Sequence, residues 1–429
     1  MSVATVLALP RVLVLCPGAW DIQAFGCRFD RRYELLYEGQ RLVETHSMWE
    51  LLYFDIFRWV DRTVRAFSGM GLAGIVGTGD YPGCILASLV GERLGLRVPR
   101  PEVVVRLSHK YYSRQLQEQF VPEAVPAFEV FDPSAGTPPP RQLGFPFFVK
   151  PVKGTMSIRA QEVRGEDELR RALQFSLRER LAKYFILKPY QNLLQCYTEG
   201  DVSAWHFIGE ALLCGVQVTV DGFVEDGKAV VMGIADSVMY PGTISFQRFD
   251  LPSQLPEAVQ ARMRDIATRL MEGVGFEHAC FNIEMFYDPD KDRISVIEVN
   301  PRMSYQFADL YERVTGTNTY DVQLALAAGV PVQFVAGRGR DGAAASFVMR
   351  RFENARVLQV PSAQDIAKVT ERFPGTIVQI LCAPGDRLSR HNQDVGSYRY
   401  CIVNMGAPTR EELFANYALV ERLLPFTFA

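Results

Sequence analysis

Apolar residues along the chain change period several times, and those changes mark its elements. "RVLVLCPG" (residues 11–18) is an unbroken apolar run closed by Pro-Gly, as expected of a strand covered on both faces. "GLAGIVGTGD" (71–80) repeats the pattern, and 82–96 has helical spacing closed by Gly95. Strand, glycine-rich turn and helix is the grammar of a doubly wound parallel sheet, so the chain opens as α/β. Residues 108–120 read as a helix and Pro138–Pro140 as part of an exposed connector. Residues 146–163 read as strand, loop and strand, 166–181 as an amphipathic helix, and "YFILKPY" (184–190) as a further strand. Alternating strands follow over 202–239, with hairpin turns expected at Asp221-Gly222 and Asp226-Gly227. A helix over 256–273, a hairpin over 279–300 and a helix over 321–328 lead to a Gly-rich boundary at 329–345. The tail mixes short strands with a final helix over 409–424.

Composition narrows the class of protein. With 429 residues the chain is too long for one core, and domains over 1–107, 108–340 and 341–429 are expected, the second with a subdomain at about 144–190. The balance of 46 basic against 49 acidic side chains leaves −3, which gives no electrostatic footprint for nucleic acid or an anionic membrane. Eight cysteines show no CxxC pair and no metal-ligand spacing, so a reducing, cytoplasmic setting is expected. The apolar N-terminus lacks a basic leader segment, and no apolar stretch reaches membrane-spanning length.

The hairpin "CFNIEMFYDPDKDRISVIEVNPR" holds the chemistry. Its turn begins like a calcium loop but has Arg293 where that loop needs Gly and Val299 where it needs Glu, so it reads as a solvated turn. Along a strand, side chains two apart share a face. Ile297 and Val299 therefore point one way, and Glu298 and Asn300 the other. Asn282 and Glu284 form the matching polar row on the preceding strand. Two carboxylates facing each other in a poorly hydrated place repel, and a cation between them removes that penalty. Oxygen ligands from Glu284, Glu298 and the Asn300 carbonyl suit a hard ion, magnesium or manganese. Arg302, held extended by Pro301, can bring a planar guanidinium to a phosphate or carboxylate.

Asn-x-Glu followed fourteen residues later by Glu-x-Asn-Pro-Arg resembles the metal-binding end of the ATP-grasp superfamily. Other segments resemble the family's remaining parts in order. The resemblance implies an α/β pre-ATP-grasp domain, an ATP-grasp fold with a lid and a large antiparallel sheet, and a small C-terminal α+β domain. "SHKYYSRQL" resembles the helix whose lysine, Lys110, reaches the nucleotide phosphates. "FPFFVKPVKGTMSIRAQEV" resembles the lid strand and loop, which implies phosphate contacts from Lys150, Gly154 and Ser157. "YFILKPYQNLLQCYTEGDVSAWHF" resembles the adenine hinge, which implies backbone contacts from Leu187, Lys188, Pro189 and Tyr190, followed by an acidic-x-Ser unit at Asp201. Lys188 stands where relatives usually carry glutamate. ATP and Mg2+ (or Mn2+) are the implied cofactors.

Such enzymes phosphorylate a carboxylate and let a nucleophile displace phosphate, with Arg302 stabilising the developing charge. The tail from 385 to 426 resembles L-amino-acid (dipeptide) ligases, which implies a carboxylate donor of amino-acid type, an amine acceptor and a possible homodimer. Biotin-type carboxylases carry a glutamate base four residues after the arginine; Gln306 stands there and cannot accept a proton as a carboxylate does. A non-catalytic nucleotide-binding module is the third reading. Arg248, with Tyr240 and Phe246, is expected to line the substrate pocket, and Tyr305 and Gln306 to flank the reaction centre.

Overall fold

A computed structural model describes residues 9–28, 32–42, 54–133, 140, 142–154, 159–390, 393–394 and 396–429. Ser157 and the Pro138–Pro139 pair lie outside the described residues. The N-terminal unit contains β1 (Arg11–Leu15), α1 (Ala19–Arg28), β2 (Glu34–Glu38), α2 (Ile56–Phe67), β3 (Leu72–Gly77), α3 (Gly83–Arg93), α4 (Pro101–Leu107) and α5 (Lys110–Phe120). Its three strands pair in parallel in the order β2-β1-β3. Val12 to Leu15 are all fully buried, which explains the unbroken apolar run. Leu13 and Leu15 face Ile56, Trp59 and Leu86 of α2 and α3, whereas Val12 and Val14 face Trp20 and Phe25 of α1.

The segment that contains the expected lid comprises β4 (Phe128–Phe131), β5 (Phe147–Pro151), β6 (Gln161–Val163), α6 (Glu166–Leu173), α7 (Leu177–Tyr197) and β7 (Phe207–Ala211). Its sheet runs β4-β7-β5-β6 over a small core of Phe131, Phe147, Val149, Leu169 and Phe207. Here the sequence reading needs correction. The helix expected over 166–181 is two helices, and the strand expected over 184–190 lies inside the second. A capping box between Ser176 and Glu179 starts α7 afresh. Leu187, Tyr190 and Leu194 are then buried at spacings of three and four while Ile186 is exposed, so the helical period outweighs the local apolar run.

The large sheet is built from β8 (Val216–Glu225), β9 (Lys228–Met239), β10 (Phe246–Leu251), β11 (Ala279–Asp288) and β12 (Arg293–Asn300), with α8 (Glu257–Gly273), α9 (Ala308–Thr315) and α10 (Thr319–Ala328) packed on it. After a connecting loop come β13 (Ala343–Arg351), β14 (Val357–Gln359), α11 (Ala363–Arg372), β15 (Ile377–Ile380), β16 (Gln393–Asp394), β17 (Ser397–Ala407), α12 (Arg410–Leu423) and β18 (Thr427–Phe428). The sheet does not stop at the expected boundary near 341. It continues as β12-β11-β8-β9-β10-β13-β17-β15, antiparallel at each pairing.

Asp226-Gly227 forms a hairpin turn with φ of 49° and 78°. The expected turn at Asp221-Gly222 is instead a bulge within β8. A Cβ on Gly222 would come within 2.5 Å of the Phe281 ring and the Val230 carbonyl, so the glycine permits close packing rather than a reversal. One face of the sheet rests on α8, in a core continuous with that of the N-terminal unit. The other carries α9 and α10. Among the described residues no helix is long and apolar enough to cross a membrane.

α10 also covers β3, so the N-terminal unit and the large sheet share one helix. At Gly74 a Cβ would lie 2.4 Å from the Ala327 carbonyl oxygen. Gly74→Val should therefore destabilise the protein by about 1–3 kcal/mol through overpacking. Chemical denaturation would measure it, and an unchanged midpoint would mean that β3 and α10 are not in this contact.

Candidate active site

β11 and β12 place the paired carboxylates. Their register sets Glu284 opposite Glu298 and Asn282 opposite Asn300, as the alternation predicts, while Phe281, Ile283, Met285 and Val299 enter the core beneath. One detail departs from strict alternation. A bulge opposite Glu284-Met285 displaces Ile297 from the core, and its carbonyl accepts from Arg114 Nη2 at 2.8 Å. Burial and the facing Glu298 push the Glu284 carboxyl up to about 7. Gln217 Nε2 donates to Glu284 Oε2 at 3.1 Å. Glu298 is also desolvated, but Lys110 and Lys150 outweigh that and hold it below the usual carboxylate range. Asn300 donates to Asn282, Asn282 to Asp221, and Tyr311 hydroxyl to Asp221, so the Asn300 amide is held by a buried polar chain.

Two carboxylates in register, one of them pushed up by burial and then by its neighbour, form a donor set that fits a divalent cation. Among the described residues no group of three or more His, Cys, Asp and Glu could hold a metal, so Asn300 and a ligand's own oxygens would complete the coordination.

Cations ring this pair. Lys110, in the first turn of α5, lies 2.8 Å from Glu298 and donates to the Gly154 carbonyl at 3.2 Å. Lys150 on β5 lies 2.7 Å from Glu210 of β7, and Arg114 Nε approaches the other Glu210 oxygen at 2.8 Å. Despite burial, these two cations keep the Glu210 carboxyl down at about 2. Lys153 is buried, donates to the Ser108 carbonyl at 3.2 Å and lies over the rings of Tyr190 and Tyr81 at 4.6 and 5.3 Å. Desolvation pulls its ammonium down to about 8. Arg302 Nε and Nη2 donate to the two oxygens of Asp80 at 2.7 and 3.1 Å. Tyr305 is partly exposed, its ring 6.2 Å from that of Trp20, and burial of its phenol raises its pKa.

Lys110, Lys150, Gly154, Glu284, Glu298, Asn300 and Arg302 are thus brought together. The hinge residues are not, apart from the Tyr190 ring beneath Lys153. Leu187, Lys188, Pro189 and Tyr190 belong to α7, where backbone groups bond within the helix, Lys188 is exposed, and the Tyr190 hydroxyl donates to Val105. Asp201 lies exposed in the following turn. The chain instead crosses from lid to large sheet directly after β7, and the buried glutamate at that crossing is Glu210. Arg248 is clasped by both oxygens of Asp250 and lies over the Phe414 ring of α12, so its guanidinium already has a partner in the C-terminal layer. Tyr240 donates to the Val348 carbonyl, and Gln306 donates to Ser346 Oγ at 2.8 Å.

Residues 143–310 match the family model described as "ATP-grasp domain". The chain contains an ATP-grasp domain. In curated relatives, the C-terminal section of the carbamoyl phosphate synthase large chain of Methanopyrus kandleri is 27% identical over 209 residues, 48% of this chain and 34% of that protein. A D-alanine–D-alanine ligase of Mycolicibacterium smegmatis is 24% identical over 202 residues, 46% of this chain and 50% of that one. The chain thus spans half or less of the length of these relatives. In solved structures, an L-amino acid ligase from Bacillus licheniformis superposes with a TM-score of 0.73 at 15% identity, covering 98% of this chain and 99% of that one. The biotin carboxylase domain of a Hydrogenobacter thermophilus 2-oxoglutarate carboxylase, solved with MgADP and bicarbonate, gives 0.65 at 14% identity, covering 97% and 90%. At these identities the structural likeness establishes the ATP-grasp fold.

The Glu284 carboxyl has a folded-state pKa above its ordinary value, so the folded protein holds that proton more tightly than the unfolded chain does. Its contribution to stability is present at acid pH and is lost as pH rises through about 7. In metal-free protein at pH near 8, Glu284→Gln should therefore raise Tm by about 2 °C or more, with a smaller gap near pH 5. Magnesium should raise the wild-type Tm and leave the variant's nearly unmoved. Thermal unfolding with and without magnesium checks both, and a lower Tm for the variant at pH 8 would contradict the burial and repulsion assigned to Glu284.

Proposed function

We propose that this ATP-grasp protein is an ATP-dependent ligase that phosphorylates a carboxylate, of amino-acid type, and passes the acyl group to an amine, releasing ADP and phosphate. The observation that carries this reading is the register pairing of Glu284 with Glu298 inside a ring of four cations, Lys110, Lys150, Lys153 and Arg302. A triphosphate asks for that combination, since phosphoryl transfer depends on positioning and charge neutralisation. Glu284, Glu298 and Asn300 would hold magnesium or manganese, which neutralises charge on the transferring phosphoryl group.

Lys110 and Lys150 now rest on glutamates and are the groups that would turn to phosphate oxygens. The backbone of Leu212 and Leu213, where the chain leaves β7 for β8, replaces α7 as the segment to meet adenine. Arg302 meets the charge that develops on the acyl phosphate and on the tetrahedral species. The amino-acid character of the substrates is supported by the names of the D-alanine–D-alanine ligase and the L-amino acid ligase. Against carboxylation stands Gln306, an amide bonded to Ser346 at the place where a base is needed.

Amino acids offered singly and in pairs with ATP and magnesium should release phosphate only in productive pairs, with a product mass equal to the pair minus water. ATP binding with no phosphate release from any pair would favour a regulatory module. In a folded Glu298→Gln variant turnover should fall to background. Near-normal turnover would remove the metal assignment.

A further inference from the structure

Most of the charged groups around the paired glutamates have a counterpart among the reactants of a ligation. Lys110 and Lys150 answer to a triphosphate, Glu284 and Glu298 to a divalent cation, and Arg302 to an acyl phosphate. Asp80 is the exception. It arrives from the N-terminal unit, in the turn between β3 and α3, and Arg302 clasps both its oxygens. The turn is firmly held. The Cys84 amide donates to the Gly79 carbonyl at 3.1 Å, and the Tyr81 ring packs edge-on against Tyr190 at 5.6 Å beneath the Lys153 ammonium. Arg302, Lys153 and Lys110 together outweigh burial and hold the Asp80 carboxyl below the usual range. It is an anion at neutral pH.

A carboxylate on Arg302 has the wrong sign to assist that arginine. It competes with the anion the guanidinium would stabilise, and it adds negative charge close to Glu298. Orientation alone needs only a neutral acceptor, and the Met303 carbonyl already accepts from Arg302 Nη1 at 3.2 Å. In the ligand-free protein Arg302, Lys153 and Lys110 match this negative charge. Once the phosphates of the reactants claim those cations, a positively charged reactant is what would match it. Amide formation has one, because an α-amine is largely an ammonium at neutral pH. When an acyl phosphate takes up part of the guanidinium, an Asp80 oxygen is released towards it.

We propose that Asp80 anchors the ammonium group of the amine substrate, and that the N-terminal unit thereby selects amines that arrive as ammonium ions, such as α-amino acids, over neutral ones. The proposal rests on the ligase reading and adds the charge class of the acceptor. Asp80 binds and positions the ammonium. One ammonium proton passes to water and frees the nitrogen lone pair. The C–N bond forms as the acyl C–O bond to phosphate breaks, and the nitrogen's second proton leaves with the phosphate. No bond is made or broken at Asp80.

The test uses the full chain with ATP, magnesium and a donor acid, and compares two nucleophiles, L-alanine and hydroxylamine, which is largely uncharged at about pH 8. Asp80→Asn should lower kcat/KM for L-alanine relative to that for hydroxylamine at least tenfold, chiefly through KM, and Asp80→Glu should recover part of the ratio. An equal loss for both nucleophiles, with the ratio unchanged, would overturn the anchor and leave Asp80 as a support for Arg302. A wild-type protein that joins neither nucleophile to any acid would overturn the ligase reading, and the anchor with it.

Discussion

The buried ion pair between Arg114 and Glu210 is the constraint around which the active-site half of the molecule is arranged. Both side chains are almost completely buried, and each would cost several kcal/mol to desolvate alone. Full pairing removes that cost. Arg114 bonds Glu210, Gln117 and the Ile297 carbonyl, and Glu210 also receives Lys150. Four elements meet at this network: α5, β5, β7 and the bulged strand β12. Its third member gives it a further property. Lys150 can leave for a phosphate without orphaning Glu210, because Arg114 stays. A simple pair in the same place would bury an uncompensated charge each time the lysine engaged ligand.

The same logic extends outward. Lys110 rests on Glu298 and Arg302 on Asp80, so three cations suited to ligand binding are neutralised by carboxylates in the ligand-free protein. Such an arrangement keeps a cation-rich cleft from repelling itself and lets substrate charges replace internal ones one for one. It also joins domains: Asp80 belongs to the parallel sheet and Arg302 to the segment after the antiparallel one.

The sequence was most legible where one period held over a whole element. The buried strand β1, the carboxylate rows of β11 and β12, and Arg302 could be placed from alternation and residue chemistry alone. It misled where two periods overlapped. "YFILKPY" is apolar enough for a strand, yet Ser176 and Glu179 had already committed the chain to a helix, so residues 187–190 lie in α7 and the segment proposed to meet adenine is the crossing after β7. The signal for Glu210 was present in "FIGEALLCG", a lone charge in an apolar run, as Lys150 is in "FPFFVKP". Asp80 was legible as a tight turn but not as a participant. Its partner lies 222 residues away, and such a pairing is fixed by packing rather than local pattern. Arg248 has its counter-ion close by in sequence, since Asp250 two residues on supplies it.

The sheet that runs unbroken from β10 into β13 bears on how this protein can change. A chain cut near residue 341 would lose not a detachable module but the partner of an interior strand. β10 would then present unpaired amide and carbonyl groups along its length, an invitation to intermolecular pairing. Grafting C-terminal segments between relatives is therefore constrained by strand register as well as by the active site.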